Sequence, residues 1–268
     1  MEKEKQKPYL QLQGINKVFK LPNGGEYVAL KDINLDIYKN EVVAIIGHSG
    51  CGKSTILNIV AGLQEQSSGN MILDKKEITG PGSDRGVVFQ NHSLLPWLSV
   101  FQNVEMAVKK VMPELSKKER EERVNKFLDY VNLTHAANKF PGEISGGMKQ
   151  RVGIARALAI RPKVLLMDEP FGALDSLTRA NLQEHVGRIQ QTLENTVIII
   201  THDVDEAVLL SDRIIMMTNG PAATVGEIVE VNLPKPRNRI ALQDHPEYLR
   251  CKEAVLDFLY EKYAKEEA

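Results

Sequence analysis

Three stretches of the chain hold residues whose types and spacing could do chemistry. Gly47-His48-Ser49-Gly50-Cys51-Gly52-Lys53-Ser54 fits the pattern G-x-x-x-x-G-K-S. Glycines at that spacing let the backbone curl until successive N–H groups converge on phosphate oxygens. A helix opening directly afterwards adds its positive N-terminal end. Lys53 supplies a point charge for the β- and γ-phosphates. The Ser54 hydroxyl is placed to ligate Mg²⁺, and Thr55 can donate to a phosphate oxygen. Val164-Leu165-Leu166-Met167-Asp168-Glu169 is an apolar run that delivers two acids at its carboxyl end, where ligands collect in open α/β sheets. Asp168 suits a Mg²⁺ ion held through water, and Glu169 is placed to polarise an attacking water. A third run, Thr196 to Thr201, leads to His202, which can hydrogen-bond a γ-phosphate. An acid pair or a histidine at a strand end is commonplace by itself. A phosphate-binding loop in the same chain is what gives these residues weight. His48 lies within the loop at a variable position and receives no catalytic role.

The elements that must hold these groups follow from periodicity. Leu10 to Lys20 and Leu30 to Tyr38 alternate apolar and polar residues, as half-buried strands do. The turn signal Pro22-Asn23-Gly24-Gly25 stands between them. An antiparallel β region at the N-terminus follows, after a polar lead over residues 1–8. Glu41 to Ile46 is nearly all apolar, the pattern of a strand buried on both faces. Lys53 to Leu63 then runs at helical period, so the loop sits between strand and helix, the setting that makes it credible. Val87-Val88-Phe89, Val164 to Met167, Val197 to Ile200 and Ile214 to Met217 predict further buried strands. From about 98 to 160 the pattern is helical. Val124, Phe127, Leu128 and Val131 recur at i, i+3, i+4 and i+7. The alternation predicts an α/β core with a mainly parallel sheet, carrying a helical insertion over about 91–160. Pro234 and Pro236 precede a helical tail whose apolar stripe, Ala254, Val255, Phe258 and Leu259, is expected to pack on the chain's own body.

Composition narrows the partners. The 268 residues carry a formal net charge of −1, so no global field favours nucleic acid or anionic lipid. Cys51 and Cys251 form no disulfide framework, which suits a reducing compartment. No apolar run approaches the roughly 20 residues that span a bilayer, so any membrane role is expected to come through a partner.

Ile144-Ser145-Gly146-Gly147-Met148-Lys149-Gln150-Arg151 resembles the signature motif of ATP-binding-cassette ATPases. Its position between the phosphate loop and the acid pair makes the resemblance specific. Two departures stand out: Ile144 replaces the usual Leu, and Met148 replaces the usual Gln, which removes an amide near the γ-phosphate. Gln90, after Val87-Val88-Phe89, looks like the Q-loop glutamine that touches Mg²⁺ and the attacking water. Ala173-Leu174-Asp175 resembles the D-loop, which crosses between subunits. The family also uses an aromatic residue to stack on adenine. Phe19 fits by the run Asn16-Lys17-Val18-Phe19, with Tyr27 as the rival. The resemblance covers about residues 9–230 and leaves 231–268 as a short C-terminal extension.

That resemblance implies a P-loop NTPase fold of the cassette type, with ATP and Mg²⁺ as ligands. It implies that Ser145, Gly146 and Gly147 serve the nucleotide of a partner subunit. Pro170 to Arg179 looks like the nitrate, sulfonate and taurine importer group. Met217 to Ile228, together with the tail from Tyr248 to Ala264, closely resembles the nitrate/nitrite and bicarbonate importer ATPases of cyanobacteria. Nitrate/nitrite is the favoured substrate; bicarbonate, sulfonate/taurine and cyanate are alternatives. The implied assembly is two membrane-spanning permease subunits, a second and different ATPase that carries a regulatory domain, and an extracytoplasmic substrate-binding protein. The implied place is the cytoplasmic face of the inner membrane, with no nucleic-acid partner. Leu94 to Val100, holding the chain's one tryptophan, Trp97, lies where such ATPases meet the membrane subunit.

Overall fold

The computed structural model describes residues 7–172 and 174–262. Expectations that fall on residues 1–6, on Ala173 of the D-loop run and on 263–264 of the tail lie outside the described residues. The chain divides into two compact units, one formed by residues 1–82 with 196–268 and the other by residues 83–195.

In the first unit the chain opens with β1 (Leu10–Lys20), β2 (Glu26–Ile37) and β3 (Val42–Ile46). Helix α1 (Lys53–Ala61), β4 (Ser68–Leu73) and β5 (Lys76–Glu77) follow. The second unit contains β6 (Arg85–Val88), α2 (Val100–Val111), α3 (Lys117–Tyr130), α4 (Gly146–Ala159), β7 (Val164–Asp168) and α5 (Ser176–Leu193). The chain then re-enters the first unit with β8 (Thr196–Ile200), α6 (Val204–Leu210), β9 (Arg213–Met217) and β10 (Val225–Glu230). Helices α7 (Arg239–Leu242) and α8 (Pro246–Asp257) complete it.

The alternating N-terminal segments form an antiparallel sheet in the order β2-β1-β4-β5. Leu10 stands opposite Ile37 on one side and Leu73 on the other. Strand β2 begins at Glu26, four residues before the expected Leu30, because the turn at residues 22–25 pairs its flanks at once: Lys20 meets Glu26. The apolar runs become parallel strands. Val42 pairs with Val197 of β8, and Val43 with Arg213 of β9. Every residue of β3 and β8 is buried, as a strand covered on both faces requires. In the second unit β6 and β7 pair in parallel, Arg85 opposite Val164.

Helix α1 stops two residues short of the expected Leu63. Gly62 takes a left-handed φ of 74° and its N–H caps the carbonyls of Asn58 and Ile59. The helical block of the second unit is three α-helices, with short 3₁₀ turns at Thr134–Ala136 and Pro141–Glu143. Val124, Phe127, Leu128 and Val131 are all buried, as their period demands. The tail stripe packs inward as expected: Val255, Phe258 and Leu259 share one core with Ala44 and Ile46 of β3 and Ile214 and Met216 of β9, and Ala254 packs against it.

Candidate functional site

The first unit builds the phosphate loop. Buried β3 ends at Ile46, the chain turns through Gly47 to Gly52, and α1 starts at Lys53. Gly52 is the N-cap, with a φ of 87° that side-chain-bearing residues rarely adopt; a Cβ there would also sit 2.6 Å from Leu30 Cδ2 of β2. No side chain caps the start of α1. Lys53 is buried, and its Nζ donates to the carbonyls of Gly47 at 2.8 Å and His48 at 2.9 Å. Its ammonium is thus fixed beneath the loop. Ser49, Gly50 and Ser54 are exposed, and Thr55 is half-buried. Burial pushes the Cys51 thiol above its ordinary value despite the neighbouring Lys53, which leaves it a neutral, inert filler.

In the same unit His202 is exposed, two residues past the end of β8. Asp203 N-caps α6 by accepting from the Glu206 N–H at 3.0 Å, which fixes the turn that carries His202. Phe19 and Tyr27 turn out to be direct partners across the β1–β2 pair. Residues directly opposite each other share a face, so both aromatic candidates stand side by side. The Lys17 ammonium lies 5.0 Å from the centre of the Phe19 ring.

The second unit positions the acids. Asp168 closes β7, and both it and Glu169 are half-buried. Glu169 has a φ of 42°, uncommon for a residue with a side chain, and it precedes Pro170, which restricts it further. Its carboxylate accepts from the Gln90 amide at 2.9 Å. The structure therefore brings these two candidates together. Ser145 N-caps α4, its Oγ accepting from the Met148 N–H at 3.3 Å. Ser145 and Gly146 are exposed, whereas Gly147 is pressed on α5, where a Cβ would lie 2.7 Å from Thr178 Cγ2. Asp175 N-caps α5 by accepting from the Thr178 N–H at 3.0 Å, and hydrogen bonding to the Thr178 side chain, then to that N–H, lowers its carboxyl below the ordinary value.

Two ties that hold this machinery were not foreseen from the sequence. His48 lies in the loop, and its Nε2 stands 2.9 Å from the Leu259 carbonyl oxygen, tying the loop to the tail. Asn103 is fully buried in α2; its Nδ2 donates to the carbonyls of Leu95, Leu98 and Ser99 and its Oδ1 accepts from the Leu95 N–H. An Asn inside a helix is a weak helix former, and that was the available signal.

Within the second unit, the hard carboxylate oxygens of Asp168 are of the kind that Mg²⁺ prefers, and in the first unit the exposed Ser54 carries a hydroxyl of the same kind. The N-terminal end of α1 and the fixed Lys53 charge match a polyphosphate.

Fold and site together define an ATP-binding cassette. Residues 30–172 match the family described as ABC transporter, and the chain belongs to that family. It binds ATP as these ATPases do. It is 59% identical to the nitrate transport protein NasD of Klebsiella oxytoca, over 97% of this chain and 99% of that protein. It is 50% identical to the nitrate import ATP-binding protein NrtD of Synechococcus elongatus, over 97% of this chain and 94% of that one. The bicarbonate transport ATP-binding protein CmpC of Synechocystis is 56% identical over 94% of this chain, but the match spans only 38% of that longer protein. Among solved structures, the dimeric post-hydrolysis state of the cassette MJ0796, bound to ADP and Pi, superposes with a TM-score of 0.75 at 33% identity, covering 84% of this chain and 100% of that one. Among the described residues no helix is long and apolar enough to cross a membrane.

Proposed function

We propose that this chain is the ATP-hydrolysing subunit of a nitrate/nitrite importer, attached at the cytoplasmic face of the membrane through separate permease subunits. The observation that carries the substrate is the 59% identity to NasD along 99% of that protein's length. Bicarbonate is the second reading, favoured by the 56% identity to CmpC. Uptake of labelled nitrate and of labelled bicarbonate by cells expressing the assembled system decides between them; bicarbonate uptake without nitrate uptake would overturn the first.

In this reading residues 9–230 are the cassette, with a helical subdomain over about 91–160, and 231–268 are an extension. Two cassettes close face to face around two ATP molecules, as the dimeric MJ0796 relative supports. The partner is a second ATPase with a regulatory domain. The longer NrtC and CmpC relatives, of which this chain spans 38%, support such an unequal pair. Lys53 neutralises charge on the transferred phosphoryl group. Bound Mg²⁺, held by Ser54, Asp168 and Gln90, would supply further neutralisation. The loop residues Gly47, His48, Ser49, Gly50, Cys51, Gly52 and Thr55 surround the phosphates. Ser145, Gly146, Gly147 and Asp175 face the partner's nucleotide, and Phe19 stacks on adenine.

Glu169 orients or deprotonates the attacking water while Gln90 holds its carboxylate, and His202 steadies the γ-phosphate. The test of this arrangement is Glu169→Gln in the assembled complex. General-base removal is expected to lower turnover at this subunit's site by about 10²–10⁴ while ATP binding persists. Turnover at that site left unchanged would exclude Glu169 as the base.

A further inference from the structure

Two residues after Gln90 the chain bends sharply. His92 and Ser93, consecutive and neither a glycine, take left-handed φ values of 62° and 48°. Such residues cost about 1–3 kcal/mol each and persist only where the surroundings over-determine them. Helix α4 does so from two levels. The His92 ring places Nε2 3.0 Å from the carbonyl oxygen of Gly146, the first residue of α4, and Nδ1 3.2 Å from the Gln90 carbonyl. Further along α4, Arg156 donates from Nη1 to the Ser93 carbonyl at 2.7 Å and from Nη2 to the His92 carbonyl at 3.1 Å.

The bend is thus fastened to the helix that begins with the Ser145-Gly146-Gly147 run. On its other side Gln90 holds the Glu169 carboxylate at 2.9 Å. Inside the second unit Gly146 is thus joined to Glu169 by the Nε2 contact of His92, by the two-residue step of chain from His92 to Gln90 and by the Gln90–Glu169 hydrogen bond. The two ring contacts are not equivalent. A neutral imidazole has a single N–H and donates to only one carbonyl. The Nδ1 contact joins residues two apart, whereas the Nε2 contact joins residues 54 apart. Only the latter connects the two motifs.

We propose that His92 is a positioning residue for hydrolysis. Its Nε2–H donates to the Gly146 carbonyl, so that engagement of Ser145-Gly146-Gly147 with the partner's nucleotide sets the position of Gln90 and, through it, of Glu169. The proposal rests on the ATPase reading above. His92 would act through Gln90 and Glu169.

Two amide substitutions separate the ring nitrogens. The amide nitrogen of Gln falls where Nε2 stands, and that of Asn where Nδ1 stands. In the assembled transporter His92→Gln keeps about half or more of kcat, whereas His92→Asn and His92→Ala lose about tenfold in kcat with KM for ATP changed by less than about twofold. The Hill coefficient for ATP falls in the Asn and Ala variants and holds in the Gln variant, a readout that a purely structural role would not move. Equal kcat in the Gln and Asn variants overturns the proposal. So does a loss expressed only in KM, which would mark a binding role. If His92→Ala does not assemble, the Gln and Asn pair carries the test. Lys53→Ala tests the underlying reading separately. Turnover that survives Lys53→Ala in an otherwise wild-type complex sinks that reading whatever the His92 variants do.

Discussion

The Nε2 of His48, in the phosphate loop, lies 2.9 Å from the carbonyl oxygen of Leu259, 211 positions further along the chain. That carbonyl sits in the helical turn Phe258–Lys262, whose Phe258 is buried against β10. The fit is tight: a Cβ on Gly226 of β10 would fall 2.4 Å from the Phe258 ring. Phe258→Ala is therefore expected to cost about 3–5 kcal/mol, and Gly226→Ala alone about 1–3 kcal/mol by overpacking. Because the two share one space, the double variant should be more stable than the sum of the single losses allows. Urea unfolding of the four proteins measures this, and simple additivity would refute the contact. His48→Ala, which removes one hydrogen bond, should cost only about 0.5–1.5 kcal/mol.

Arg237 is a second fixture of the extension. Its side chain is 3% exposed. Nη1 donates to the carbonyls of Val208, Leu209 and Ser211, and Nη2 to those of Val231 and Leu233. The guanidinium thus closes the carboxyl end of α6 and staples the segment after β10 to it. Asp212 stands 3.8 Å away as its counter-charge. A lysine has charge but not the planar fork. Both Arg237→Lys and Arg237→Ala should destabilise by about 3–5 kcal/mol. Retention of wild-type stability by the lysine variant in urea unfolding would show that charge alone is enough.

Much of this was legible in the sequence because period and spacing are local. Runs such as Val42 to Ile46 and Val164 to Asp168 announce strands covered on both faces, and the loop between β3 and α1 is written in its glycines. Strand β4, Ser-Gly-Asn-Met-Ile-Leu, was not foreseen. It starts with poor strand formers and forms because β1 offers a pairing edge, Leu12 opposite Met71. Strand β10 exists likewise because β9 supplies its partner, Ile214 opposite Val229. The carbonyls that Asn103 binds lie only four to eight residues away, but those that His92 and Arg237 bind at Gly146 and at Val208 to Ser211 lie far off in the chain. No spacing rule reaches them, since their partners are defined only once the chain has folded.

Trp97 is 69% exposed and so is no part of the core. The loop that carries it is nonetheless fixed, because the buried Asn103 amide bonds Leu95, Leu98 and Ser99. A large aromatic held rigid and exposed is suited to anchor a partner. Trp97→Ala should leave the stability of the isolated chain within about 0.5 kcal/mol yet weaken co-purification with the permease subunits and slow transport. Intact assembly and transport would remove Trp97 as an anchor. Asn103→Leu, by contrast, strands the loop carbonyls and should destabilise the isolated chain by about 1–3 kcal/mol.

Glu247, at the start of α8, predicts a pH dependence. Arg250 donates to both of its oxygens, at 2.7 and 2.8 Å, and the Asn232 N–H donates at 3.0 Å. Chiefly through the Arg250 hydrogen bonds, its carboxyl is held down at about 2, against an ordinary value of 4.5. A carboxyl whose folded pKa is depressed binds its proton more readily in the unfolded chain, so folding gains stability as pH rises between the two values. The Glu247 contribution is therefore complete above about pH 4.5 and is lost as pH falls through about 2. Glu247→Gln should be less stable than the parent at neutral pH, and that gap should narrow steadily below about pH 4.5. Urea midpoints of both proteins through the acid range measure it. A gap of constant size from neutral pH down to about pH 2.5 would mean that the charged form of Glu247 contributes nothing, and that its effect is packing alone.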